Sequence, residues 1–145
     1  DPYGVALAAP FVWSFTTGDA DTTAPTIVTR SPAAGAVDVP ISSDIVVTFS
    51  EELHAGSLDL SHFVLTGPYG TVPMTLSYNT ATFAVTLTPT TNLLPTTEYT
   101  MKVTANTADY AGNPLGADDV WTFTTAVEPP LLAYFGDMAV EVAAP

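Results

Sequence analysis

The stretch DYAGNPLGADDVWTFTTA, residues 109–126, decides how the rest of the chain reads. Its first half is built of turn formers, with Asp109, Gly112, Asn113 and Pro114 close together, and its second half alternates Val120 or Trp121 and then Phe123 with threonines at 122, 124 and 125. Apolar residues at every second position mark a strand with one face buried and one face in water. The same alternation runs through Tyr99, Met101 and Val103 in 97–105, and through Phe83, Val85 and Leu87 in 82–88. Further strands are expected at 26–31, 44–50, 62–66 and 71–78, each closed by Pro, Gly, Asn or Asp. One helical turn is expected at Ser57–Leu60, with Ser57 as its cap. No longer segment keeps a helical period, so the fold class is all-β. About seven short strands, with turn signals every ten or so residues, predict a Greek-key β-sandwich of immunoglobulin-like type.

The opening of the chain repeats the deciding stretch. DPYGVALAAPFVWSFTTG, residues 1–18, superimposes on 109–126 without a gap, placing Asp1 on Asp109, Gly4 on Gly112, Leu7 on Leu115 and Val12 on Val120. Trp13, Phe15, Thr16 and Thr17 fall on Trp121, Phe123, Thr124 and Thr125. Residues 1–17 therefore read as the last strand of a preceding repeat, or as a donor strand for a neighbouring subunit. Residues 18–25 read as a linker, and 22–126 as one complete domain. Residues 127–145 form a tail that breaks at Pro129-Pro130 and ends in a second apolar piece, 138–143. Phe11, Trp13 and Phe15 share one face of the extra N-terminal strand, as Met138, Val140 and Val142 do in the tail. These six residues are the expected contacts between domains or subunits, because an unpaired strand edge with large aromatics is a surface that proteins normally cover.

Composition narrows the function. Two Lys+Arg against 15 Asp+Glu give a formal charge of -13, which excludes nucleic acid as a partner, since phosphate binding needs a basic stripe. There is no Cys, so disulfides and thiol chemistry are excluded. No apolar run approaches the ~18 residues of a membrane span, so membrane insertion is not expected. An acidic, Thr-rich and Cys-free chain is expected at the cell surface or outside the cell. Asn-x-Ser/Thr sites are lacking, while the many threonines leave O-glycosylation open.

The order TAPTI (23–27), SPAAGAVDVPISSDIVVTFSEEL (31–53), FVLT (63–66), TLTP (86–89), LLPTTEYTMKVT (93–104), DYAGNPL (109–115) and WTFTTA (121–126) resembles the bacterial Ig-like domain associated with S-layer proteins. That resemblance spans 22–126. It implies an Ig-like sandwich used in tandem in surface layers, adhesins and secreted proteins, where such domains act chiefly as stalks and spacers. Partners implied are copies of the chain itself or flanking Ig-like domains, with an adhesin that recognises a glycan or a protein receptor as the alternative. Two departures stand out: Val5 replaces the Asn of Asn113 in the first copy, and the tail has no counterpart.

Candidate sites are few. In such a sandwich the loops after the second and sixth strands share a pole with the start of the first strand, which brings Asp19, Asp21, Glu51, Asp109 and Asn113 within reach of one another. An oxygen-rich cluster of that kind suits calcium. The competing reading is turn chemistry, with Asp109 and Asn113 bonding their own backbone and Gly112 supplying the positive φ. Catalytic residues are not expected. His54 and His62 lack the spacing of zinc hydrolases, no Gly-x-Ser-x-Gly elbow exists, and adjacent Glu51 and Glu52 on an extended segment point to opposite sides. Lys102 lies between inward-facing Met101 and Val103, so it faces solvent and makes no internal crosslink.

Overall fold

A computed structural model describes residues 3–4 and 9–128. Among the described residues nine strands form two sheets: β1 Ile27–Ser31, β2 Ala36–Val39, β3 Ile45–Phe49, β4 Phe63–Gly67, β5 Gly70–Thr71, β6 Met74–Asn79, β7 Ala84–Pro89, β8 Glu98–Val103 and β9 Asp119–Thr125. One sheet has the order β1-β3-β7-β6 and the other β2-β9-β8-β4-β5. This is the Ig-like sandwich, and seven of its strands are those the alternation marked. Strict alternation shows in β3, where Ile45, Val47 and Phe49 are buried, and in β8, where Tyr99, Met101 and Val103 are. Trp121 and Phe123 supply the inward face of β9. Phe49 and Phe63 meet edge to face across the two layers at 6.3 Å, and Tyr99 stacks on Phe123 at 5.9 Å. Phe83 sits just before β7 with a φ of 55°, so the strand's inward set is Val85 and Leu87.

The sequence reading missed two strands. β5 has only two residues, too few to alternate. β2 pairs with β9 in parallel, Ala36 opposite Phe123 and Val39 opposite Thr125, with an irregularity between them. A four-residue segment whose only partner is the distant last strand has no local hairpin signal. Gly35, at a φ of 73°, turns the chain into it and donates its N–H to the Thr122 carbonyl at 2.7 Å. The expected helical turn also moves: a 3-10 turn occupies Ala55–Ser57, and its cap is His54, whose Nδ1 accepts from the Gly56 N–H at 3.0 Å. Ser57 instead accepts at its hydroxyl from the Ala108 N–H.

Within the single chain, the segment 11–17, expected as a strand of a preceding repeat or as a donor strand, pairs with neither sheet. Residues 10–26 adopt no regular structure, since a strand without a partner leaves its backbone groups unpaired.

A clamp absent from the sequence reading ties the first strand to the last. Arg30 on β1 meets Asp119 on β9 with two bonds, Nη1 to Oδ1 at 2.7 Å and Nη2 to Oδ2 at 3.0 Å. Its guanidinium also lies 4.9 Å from the centre of the Trp121 ring, and the Trp121 indole donates to the Pro32 carbonyl at 3.0 Å. The pair is about a quarter exposed, so solvent screens part of its energy. Arg30→Ala is expected to cost about 1–2 kcal/mol through the lost fork and ring contact. Arg30→Lys should recover less than half of that, because ammonium cannot reproduce the two-pronged geometry; equal stability of the Lys variant and the parent in urea unfolding would count against the clamp.

Candidate functional site

The pole where the chain enters β1 is assembled from three separate segments. After β3 ends at Phe49, Ser50 ties twice to Thr26, just before β1: its N–H donates to the Thr26 carbonyl at 2.9 Å, and its hydroxyl accepts from the Thr26 N–H at 3.0 Å. The segment then pairs with the loop before β9, with Leu53 opposite Asp109, the His54 N–H on the Ala108 carbonyl and the Tyr110 N–H on the Glu52 carbonyl. These bonds fix Glu51 beside Asp109. Glu52 is exposed, as its adjacency to Glu51 requires.

The loop Asp109–Asn113 closes on itself. Asp109 Oδ1 accepts from the Asn113 N–H at 2.8 Å, and Oδ2 from the Asn113 side-chain amide at 2.8 Å. Gly112 takes a φ of 93° to make the turn. The same Asn113 amide donates to the Asp21 carbonyl at 3.2 Å, which pins the linker to the loop. Asp21 is further ordered by its own turn, Oδ1 accepting from the Thr23 N–H at 2.9 Å.

As a result, carboxylate oxygens of Asp21, Glu51 and Asp109 lie within 4.8 Å of one another. Asp109 is 1% exposed. Burial pushes its carboxyl up, but the Asn113 side chain and the backbone N–H groups of Asn113, Gly112 and Ala111 outweigh this and hold it below the usual range. Glu51 goes the other way: burial raises it first, and the negative charges of Asp21 and Asp109 add to the rise. Three carboxylates in this space repel, and a hard cation with oxygen ligands would relieve them. Asp19, two residues upstream, is not in this group. Asn113 acts here as a hydrogen-bond donor to the loop and linker, which is the turn chemistry the sequence also allowed.

The histidines belong to turns. Asp59 Oδ1 accepts from the Ser61 hydroxyl and the Ser61 N–H and lies 3.1 Å from His62 Nδ1. The Ser61 bonds, with His62 after them, hold the Asp59 carboxyl down at about 2. Lys102 points outward, 4.0 Å from Asp118.

A second candidate is the copied segment. Phe11, Trp13 and Phe15 are 84%, 69% and 74% exposed, whereas Trp121 and Phe123, in the same motif, are 4% and 1% exposed. The Trp13 and Phe15 rings stack at 5.5 Å. Met138, Val140 and Val142 lie outside the described residues. On the flank where the chain crosses from β5 to β6 there is also an open cleft of about 220 Å³ lined by uncharged residues, Tyr69, Val72, Pro73, Leu93, Leu94 and Tyr99 among them.

A family model described as a bacterial Ig-like domain matches residues 21–125. The fold is similar to domains 1–6 of the surface layer protein SbsC, with a TM-score of 0.54 at 16% identity over 75% of this chain and 14% of that one. It is also similar to PcoC, a methionine-rich copper resistance protein from Escherichia coli, with a TM-score of 0.55 at 21% identity over 71% of this chain and 99% of that one. The α2-macroglobulin of E. coli gives a TM-score of 0.57 at 16% identity, over 75% of this chain and 6% of that one. The chain thus spans a small part of the surface layer protein it matches. Among curated protein sequences nothing matches.

Proposed function

The chain belongs to the family of bacterial Ig-like domains, and from that premise we propose that it is a structural module of an extracellular surface assembly, a layer, stalk or filament, joined to its neighbours through residues 11–17. One observation carries this reading. The segment repeats the sequence of β9, whose Trp121 and Phe123 are core residues, yet its own Trp13 and Phe15 stand in solvent. Aromatic side chains each bury about 150–250 Å² when covered, and an exposed set of three in strand spacing is a contact surface.

The acidic pole fits the same role. Asp21 comes from the linker and Glu51 and Asp109 from the domain body, so a calcium ion held by the three would lock the joint between this domain and whatever precedes it. It would also offset part of the self-repulsion of a chain with a net charge of -13.

Deletion of residues 1–18 tests the linkage. The parent should associate in a concentration-dependent way by light scattering and electron microscopy, and the deletion variant should remain monomeric. Residues 9–18 are all exposed, so the melting temperature should move by less than about 2 °C. If both proteins assemble alike, or neither does, the linkage through residues 11–17 is wrong.

A further inference from the structure

We propose that the acceptor for residues 11–17 is the free edge of β6 on a second copy of this chain, an inference that rests on the strand-linkage reading above and adds where the strand docks. Among the described residues four strands border the two sheets: β1 and β6 in one, β2 and β5 in the other. A border strand offers unpaired N–H and C=O groups to another chain unless it is short, charged, irregular or covered. Three of the four have such protection. β5 has two residues. β2 has four, with Asp38 at a φ of 55° and a break in register. β1 carries Arg30, whose side chain is held by Asp119, and its own register shifts between Ile27 and Thr29.

β6 has none. It is six residues long, Met74-Thr75-Leu76-Ser77-Tyr78-Asn79, pairs with β7 in unbroken register, and contains neither proline nor a charge. The Thr90 N–H donates to the Pro73 carbonyl, which makes 73 and 90 a hydrogen-bonded pair. By the alternation of an antiparallel ladder, Thr75, Ser77 and Asn79 then bond to β7, while the N–H and C=O groups of Met74, Leu76 and Tyr78 turn outward to the free edge. On the core side Leu76 and Tyr78 are only half-buried. A strand added here, with Phe11, Trp13 and Phe15 on its inward face, would cover both, and the cleft at Val72 and Pro73 lies at the start of the same edge.

Charge selects this flank. Residues 63–97, which run from β4 through β7, contain no Asp, Glu, Lys or Arg, and neither do residues 2–18. All 15 acidic residues lie elsewhere, so two copies repel except where these uncharged surfaces meet. The chain does not place its own 11–17 on this edge, since those residues are exposed and outside the sheets. Strand addition of this kind is head to tail and propagates into an open filament.

The chain has no cysteine, so single introduced thiols report contacts without background. Ser14→Cys, on the face opposite the aromatics, is mixed under mild oxidation with Thr75→Cys, Ser77→Cys or Asn79→Cys, all at exposed positions on β6, and separately with Thr29→Cys on β1. At least one β6 partner should give the mixed disulfide about tenfold more readily than Thr29→Cys, through the raised effective concentration of docked strands. Equal yields with β1 and β6 overturn the assignment to β6. The cysteine-free parent, run alongside by light scattering, separates the two ideas: assembly that needs residues 1–18 without a β6 crosslink refutes only the edge, whereas absence of assembly refutes the linkage itself.

Discussion

Trp121→Ala is expected to destabilise the domain by about 3–5 kcal/mol, while Trp13→Ala leaves monomer stability within about 0.5 kcal/mol of the parent. Both tryptophans stand in the same V-W-S/T-F-T-T context, so local propensity cannot separate them. What differs is the environment. Trp121 is 4% exposed, donates to the Pro32 carbonyl and stacks under Arg30, whereas Trp13 is 69% exposed. Removing the buried indole leaves a cavity between the sheets, strips Pro32 of its donor and frees one side of the Arg30 clamp. For a domain of this size each kcal/mol shifts the melting temperature by about 4–8 °C, so Trp121→Ala should melt at least ~12 °C below the parent. Similar melting temperatures for the two variants would show that the repeated motif does not close the core in only one of its copies.

Calcium should have the second large effect. A ligand that binds only the native state adds about 2.7 kcal/mol at a hundredfold excess over its Kd, which corresponds to a rise of about 10–20 °C in melting temperature. Glu51→Gln should abolish that rise by removing one of three carboxylates. Without calcium the same variant should be more stable than the parent at neutral pH. The sign follows from the raised Glu51 carboxyl: the native state binds its proton more tightly than the unfolded state, where it titrates near 4.5. Stability is therefore lost as the pH rises from about 4.5 through the native value, and the loss persists above it. Gln carries no such penalty, so the difference between variant and parent should vanish below about pH 4.5. Asp109 has the opposite sign, stabilising above its ordinary 3.8 and losing that contribution as the pH falls through its lower native value. Identical melting curves in chelator and in millimolar calcium would rule out the cation.

Most of the sandwich is legible in sequence because its strands bury one face and set threonine on the other, so β8 announces its inward face as Tyr99, Met101 and Val103, whereas in β9 the neighbours Val120 and Trp121 compete for the inward place until the structure buries Trp121 and leaves Val120 exposed. β2 escapes since its partner β9 lies more than eighty positions away and parallel pairing leaves no hairpin signal nearby. The acidic pole is half legible. Fold geometry brings Glu51 and Asp109 together, but which linker acid joins them depends on the Asn113 bond to the Asp21 carbonyl, and nothing in the string Asp19-Ala20-Asp21 distinguishes its two ends. The Arg30 clamp was readable only as an oddity, the single arginine in the chain. The free edge of β6 is invisible until the sheet order is known, although the missing charges over 63–97 are plain in the sequence.

The parallel pairing of β2 with β9 bears on how the domain withstands tension. β2 and β9 run in the same direction, so a stretch applied across the two ends of the domain pulls them past each other along their length. The ladder between them, the Gly35 bond to Thr122, the Arg30 fork and the Trp121 bond to Pro32 all span that seam. Under such a load these contacts share the force and must yield together, whereas a seam opened from one end would lose them singly. Extension therefore meets one high barrier, and the lifetime of the folded module under pull is set by that barrier and not by its equilibrium stability.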